Sequence, residues 1–140
     1  MRKQELVDLS KYRIEKAEKM LKAALRDRSE NDYASANNRA YYCIFHAMRA
    51  VLALEQKDYS KHSGVISEFM KSYLKTGILS RKYGALISNA SLIRNRSDYQ
   101  DFYFCSIEDT NRLIEGADEF LSDIKAFLEK QYAQNEDKIE

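Results

Sequence analysis

Proline is missing from this chain and glycine occurs only four times in 140 residues. Proline breaks helix interiors and glycine weakens them, so the two main interruptions to long helices are almost gone. Tryptophan is absent, and the two cysteines, Cys43 and Cys105, stand far apart. A small secreted disulfide scaffold carries more, so both are expected as reduced thiols filling apolar sites in a cytoplasmic protein. No stretch approaches the ~20 apolar residues of a membrane span. The opening M-R-K-Q-E-L-V-D-L lacks the apolar run of a signal peptide. Charge of one sign is also missing. The 23 basic and 22 acidic side chains leave a formal charge of +1. That excludes the overall footprint of a dedicated DNA-binding domain but not a local basic patch.

What is present is helical periodicity. Five segments are predicted. The first covers about residues 3–28, with Val7, Ile14, Ala17, Leu21 and Ala24 on one face. The second opens at Asn31 or Asp32, either of which can cap it, and runs to about residue 55. Its stripe of Ala34, Tyr41, Phe45, Met48 and Leu52 is widened by Ala40, Ile44, Val51 and Leu54. A stripe that wide predicts a central helix. The third covers about 62–75 and stops at Gly77. The fourth follows Ser80, faces inward with Tyr83, Leu86, Ala90 and Ile93, and ends near residue 100. After D-F-Y-F-C, Ser106 and Asp109 form a weak capping box. The fifth then runs to about residue 132 on Leu113, Ala117, Phe120, Ile124 and Phe127. Short links between long amphipathic helices predict an all-α, up-and-down bundle of four to five antiparallel helices. One domain is expected over residues 1–133, with residues 134–140 as a polar tail that frays.

The residues that could carry chemistry are few. There is no glycine-rich phosphate loop. Two separated histidines and two separated cysteines do not make a tetrahedral zinc site, so neither metal nor cofactor is expected. Three constellations remain. Arg39, Tyr42, His46 and Arg49 recur at spacings of three, four and three, and so share one helix face. Such a stripe can hold phosphate or stack on a base, or it can bond to neighbouring helices or to a second copy of the chain. Arg94 and Asp98 are four apart, as are Asn95 and Tyr99, with Arg96 beside them. They can grip phosphate, or form an ordinary salt bridge and a tyrosine that finishes the helix. In K-H-S-G, His62 and Ser63 stand where a helix starts, a position that favours anions or is simply a cap. Phe102 and Tyr103 read as packing residues of the turn.

Three motifs occur in order: N-R-A-Y-Y-C-I-F-H-A at Asn38–Ala47, K-H-S-G-V-I at Lys61–Ile66 and R-N-R-S-D-Y-Q-D-F-Y at Arg94–Tyr103. Together they resemble the HEPN family (higher eukaryotes and prokaryotes nucleotide-binding), in particular its small stand-alone prokaryotic branch. The likeness runs from about Asn31 to Leu128. It implies a helical bundle that pairs as a homodimer and associates with RNA or nucleotides. It also implies a neighbouring minimal nucleotidyltransferase as partner in a toxin–antitoxin-like pair. The family's ribonucleases place an arginine, a polar residue, a short spacer and a histidine at the end of a late helix. Two subunits bring these together in a cleft and cleave RNA without metal. Arg94 and Asn95 match the first two positions, and Tyr99 stands where the histidine is expected. A phenol of pKa about 10 is a poor base at neutral pH, whereas an imidazole is a good one. Some relatives' partners attach nucleotides to a tyrosine near this motif, which points to Tyr99 and Tyr103 as acceptors.

Three readings stay open from sequence. The first is a regulatory module that binds nucleotide or RNA through Arg39, Tyr42, His46, Arg94, Arg96 and Asp98. The second is a metal-independent endoribonuclease using Arg94, Asn95 and Tyr99. The third is a purely structural dimerisation module. His46 is the imidazole that could replace the missing one, but no spacing places it beside Arg94.

Overall fold

The computed structural model describes residues 2–99 and 105–139, with the side chains of 136–139 excepted. Its elements are α1 (Lys3–Ser29), α2 (Tyr33–Ala53), α3 (His62–Phe69) with a π-helical continuation over Met70–Leu74, α4 (Tyr83–Tyr99) and α5 (Ile107–Ile139). No strand occurs among the described residues.

Cross-helix bonds fix the directions. Ser10 Oγ donates to the Ala50 carbonyl at 2.7 Å, and Arg39 pairs with Asp27 at 3.8 Å, so α1 and α2 are antiparallel. Arg94 reaches Tyr42 and Asn38 reaches Asp98, which sets α4 antiparallel to α2. Ser10 meets Tyr132, Glu18 meets Lys125 and Arg28 meets Asn111, so α5 runs opposite to α1. The four long helices therefore go up, down, up and down, and α3 lies in the α2–α4 crossover.

Helix α2 sits at the centre and packs on α1, α3, α4 and α5. Tyr41, Ile44, Phe45, Met48, Val51 and Leu52 are buried there, as the widened stripe predicts. Ala17 and Ala24 on α1, and Ala36, Ala40, Ala47 and Ala50 on α2, are fully buried. Small side chains at a helix contact let the axes approach, which spreads the interface along the whole pair. Ala34 departs from the predicted stripe. It is exposed, and Ala36 and Asn37 are buried in its place, because the helix enters the core one turn after its cap. That cap is Asp32, whose carboxylate accepts from the Ser35 amide at 3.2 Å; Asn31 takes the left-handed conformation at φ 64°.

In the π-helical turn after α3, Tyr73 and Leu74 are both buried. Gly77, at φ 79°, then ends the segment as the sequence predicts. Ser80 does not begin α4. Its carbonyl accepts from the Tyr83 amide in a preceding turn, and the helix starts at Tyr83. Ser106 does cap α5, accepting from the Asp109 amide at 3.0 Å. The Asp109 carboxylate turns to Arg112 and leaves the box half made. Helix α5 continues to Ile139, past the predicted end near Tyr132; nothing in this stretch breaks a helix, and alanine, glutamine and glutamate are good formers.

Cys43 is fully buried, and burial pushes its thiol up to about 12; Cys105 is half-buried, and both are free. Phe102 and Tyr103 lie outside the described residues.

Phe120 joins α5 to its neighbours. It is fully buried, with Tyr83 edge-on at 4.9 Å and Phe69 at 5.8 Å. Phe120→Ala is expected to cost about 3–5 kcal/mol in urea unfolding. A loss under about 1 kcal/mol would contradict this packing.

Candidate functional site

The first constellation lies on the side of α2 that turns toward α1, α3 and α4. Apart from the buried Asn37, most of the rest of the helix circumference is apolar. Tyr42, His46 and Arg49 are each half-buried along this polar strip, and Arg39 is exposed. Arg39 lies 3.8 Å from Asp27 and donates to Asn38 at 3.2 Å. Arg49 donates to both oxygens of Asp58, at 3.2 and 3.1 Å. Arg13 reaches the same carboxylate at 3.3 Å and the Arg49 carbonyl at 3.1 Å. Asp58 thus holds two guanidinium groups from two helices at one end of the strip.

The second constellation meets the first. Arg94 donates to the Tyr42 hydroxyl at 3.3 Å, and its Nε pairs with Asp98 at 3.3 Å. Its guanidinium carbon lies 5.1 Å from the Tyr41 ring centre and 5.6 Å from that of Tyr42. This is cation–π geometry, and it holds the charge against α2 while part of it stays open to solvent. Asp98 also accepts from Asn38 at 3.2 Å.

The third constellation is drawn in as well. His62, the first residue of α3, bonds through Nδ1 to the Tyr41 hydroxyl at 3.0 Å. Its ring lies 4.1 Å from Phe45 and 5.7 Å from Tyr42. At Gly64 an added Cβ would come 3.0 Å from Tyr59, so glycine lets the start of α3 lie close to the link before it. His62 is half-buried. Burial, then the Arg94 and Arg49 cations, hold its imidazole below the ordinary value. Burial raises the Tyr41 hydroxyl to about 12, so that group keeps its proton. His46 is lowered to about 4, first by burial and then by Lys16, Arg49, Arg13 and His62. Its Nδ1 is buried and has no hydrogen-bond partner.

The structure therefore gathers Tyr42, His46, Arg49, Arg94, Asp98 and His62 from the three constellations and adds Tyr41 and Phe45. It does not bring in Asn95, Arg96 or Tyr99. These are exposed on the outer side of α4, and none makes a side-chain hydrogen bond or ion pair among the described residues. Tyr99 is 73% exposed, so it is not the buried tyrosine that could finish a helix. Beside the cluster, Ala34, Ser35, Asn38, Arg39, Ser97 and Asp98 line a shallow groove of ≈ 390 Å³. Among the described residues no group of three or more histidine, cysteine or acidic side chains is placed to hold a metal ion. No helix among them is long and apolar enough to cross a membrane.

A model of the HEPN domain matches residues 10–128. The chain belongs to the HEPN family. This HEPN domain is 32% identical over 115 residues to the protein named "Putative toxin MJ0142" of Methanocaldococcus jannaschii, across 82% of this chain and 78% of that one. The "Putative toxin MJ0605" of the same organism is 32% identical over 117 residues, 84% of this chain and 87% of that protein. A "UPF0332 protein" of Thermotoga maritima is 32% identical over 95 residues, covering 68% and 72%.

The lowered His46 gives the HEPN domain a pH-dependent stability. A histidine depressed in the folded state binds fewer protons there than in the unfolded chain. Its contribution is complete above the unfolded value of about 6.5 and is lost as pH falls toward about 4. Between pH 7 and 4.5, His46→Gln is expected to remove on the order of 2 kcal/mol of the wild-type decline. Urea unfolding of both proteins at both pH values measures this. Equal declines would show that His46 is not held neutral.

Proposed function

We propose that this HEPN domain binds RNA or nucleotide phosphate at the cluster around Arg94. It works in the cytoplasm as the regulatory partner of a minimal nucleotidyltransferase, in a toxin–antitoxin-like pair. The observation that carries the reading is the placement of Arg94. Its guanidinium lies against two tyrosine rings, is anchored by one hydroxyl and one carboxylate, and remains partly open. A fixed guanidinium recognises phosphate oxygens through paired charge-assisted bonds. Tyr42 offers a ring beside it, and His46 lies beyond Tyr42 at 5.9 Å between ring centres. Arg39 and Asp98 line the adjoining groove, which gives an extended ligand a track, and Arg96 is an exposed cation on the outer side of the same helix. The toxin names of two relatives favour the same setting.

The domain acts as a homodimer in this reading. Leu92 and Tyr99 are exposed on the outer side of α4, one and a half turns either side of Arg94 at most, and a second copy would cover them.

The second reading is a metal-independent endoribonuclease. Arg94, Asn95 and Tyr99 are its sequence-matched residues, and the observation in its favour is that the His62 ring and the Arg94 guanidinium lie against the same two tyrosines, Tyr41 and Tyr42.

Anisotropy of a labelled RNA tests the binding site. Arg94→Ala is expected to weaken binding at least about tenfold, or ~1.4 kcal/mol, with an unchanged melting curve. The wild-type affinity is expected to fall between about 50 and 200 mM salt. Full affinity in the variant rejects the site. Failure to co-purify with any minimal nucleotidyltransferase of the same genome rejects the partner.

A further inference from the structure

The motif position that should carry an imidazole carries Tyr99, and Tyr99 points away from the cluster's other members. Two imidazoles nevertheless line the strip, and they differ in how they are held. His46 has a buried Nδ1 with no partner, and no described group fixes its ring by a hydrogen bond. His62 has its Nδ1 tied to the Tyr41 hydroxyl, while its Nε2 has no hydrogen-bond partner among the described residues. A ring fixed at one nitrogen and free at the other is the arrangement a proton-transfer histidine requires. His62 and Arg94 also share both tyrosines. The His62 ring centre is 5.9 Å from that of Tyr41 and 5.7 Å from that of Tyr42, and the Arg94 guanidinium carbon is 5.1 and 5.6 Å from the same two rings.

We propose that His62, positioned by Tyr41 and set beside Arg94, is the catalytic base of an RNA-cleaving site whose scissile phosphate rests on Arg94. This rests on the endoribonuclease reading and supplies the group that reading lacks. His62 Nε2 accepts the proton of a ribose 2′-hydroxyl. The 2′-oxygen forms a bond to the adjacent phosphorus as the bond from phosphorus to the 5′-oxygen breaks. Water protonates the departing 5′-oxygen, and the hydroxide formed takes the proton back from His62. The products are a 2′,3′-cyclic phosphate and a 5′-hydroxyl end, with no net change in protons or electrons. Arg94 faces the phosphate oxygens, whose charge it stabilises. Tyr41 is a positioning residue: when the Nδ1–H donates to its oxygen, Nε2 carries the free lone pair.

The neighbours set the working range. Tyr41, Tyr42, His46 and Arg49 face His62 from α2 and Arg94 faces it from α4, while Asp58 offsets part of the Arg49 charge. Burial and the two cations favour neutral imidazole, so the base form is present at pH 7.

The test uses the full chain and a panel of 5′-labelled RNAs in EDTA, with and without a co-expressed nucleotidyltransferase. His62→Asn retains an amide near the Nδ1 position for Tyr41 but lacks Nε2. It is expected to cleave about 100-fold more slowly than wild type while binding RNA within about twofold. Its acidic pH limb should vanish, and added imidazole should restore part of the rate to His62→Ala. Tyr41→Phe should lower kcat with KM unchanged. Wild-type cleavage that persists undiminished in His62→Asn overturns the assignment and leaves the endoribonuclease reading standing. So does a loss of binding that matches the loss of cleavage. An RNA panel left intact by wild type overturns both together.

Discussion

The structure depends on the burial of α2. Four other elements pack on this one helix, and most of its circumference is committed to apolar contact. A helix in that position has little freedom over where its polar side chains go. Tyr42, His46 and Arg49 share the one strip that faces α1, α3 and α4, and every further member of the site is whatever those helices bring to it. The cluster follows from the packing of the bundle, with no dedicated loop.

Burial also sets the chemistry of the strip. Two imidazoles and several guanidinium groups stand close together in a partly dry environment. The guanidinium groups keep their charge and the imidazoles yield theirs, since imidazole deprotonates at a far lower energetic cost. Carboxylates at the two ends, Asp58 and Asp98, hold the cations in register. The same fixed positive charge that can attract an anion keeps the neighbouring imidazoles neutral and lowers their basicity.

The sequence shows the helices well and the site only in parts. Spacing alone places Val7, Ile14, Tyr41, Ile44 and Phe120 inside, because apolar periodicity reports which face is buried. It does not reveal which polar residues follow them in. Ser10 and Arg13 are buried against partners from other elements, and Asn37 and Thr110 are buried with side-chain polar atoms that have no hydrogen-bond partner among the described residues. Within the site, Arg94 with Asp98 is a local pair and can be read from the chain. The meeting of Arg94 with Tyr42, separated by 52 positions, and of Tyr41 with His62, separated by 21, is tertiary. His62 stands out in K-H-S-G as the start of a helix; only the fold shows what that start lies against. Tyr99 shows the converse, since a motif match says nothing about which way a side chain points.

One consequence follows from the ion pair on the last turns of α4. Arg94 does not wait in an empty cradle, because Asp98 already occupies its Nε side. On the proposed function, an arriving phosphate would have to exchange with an anion that the protein carries itself. The resident carboxylate would then be a built-in competitor, keeping the guanidinium aligned between encounters. The gain on binding would be a difference between two partners, so that discrimination among ligands would rest on geometry more than on total charge.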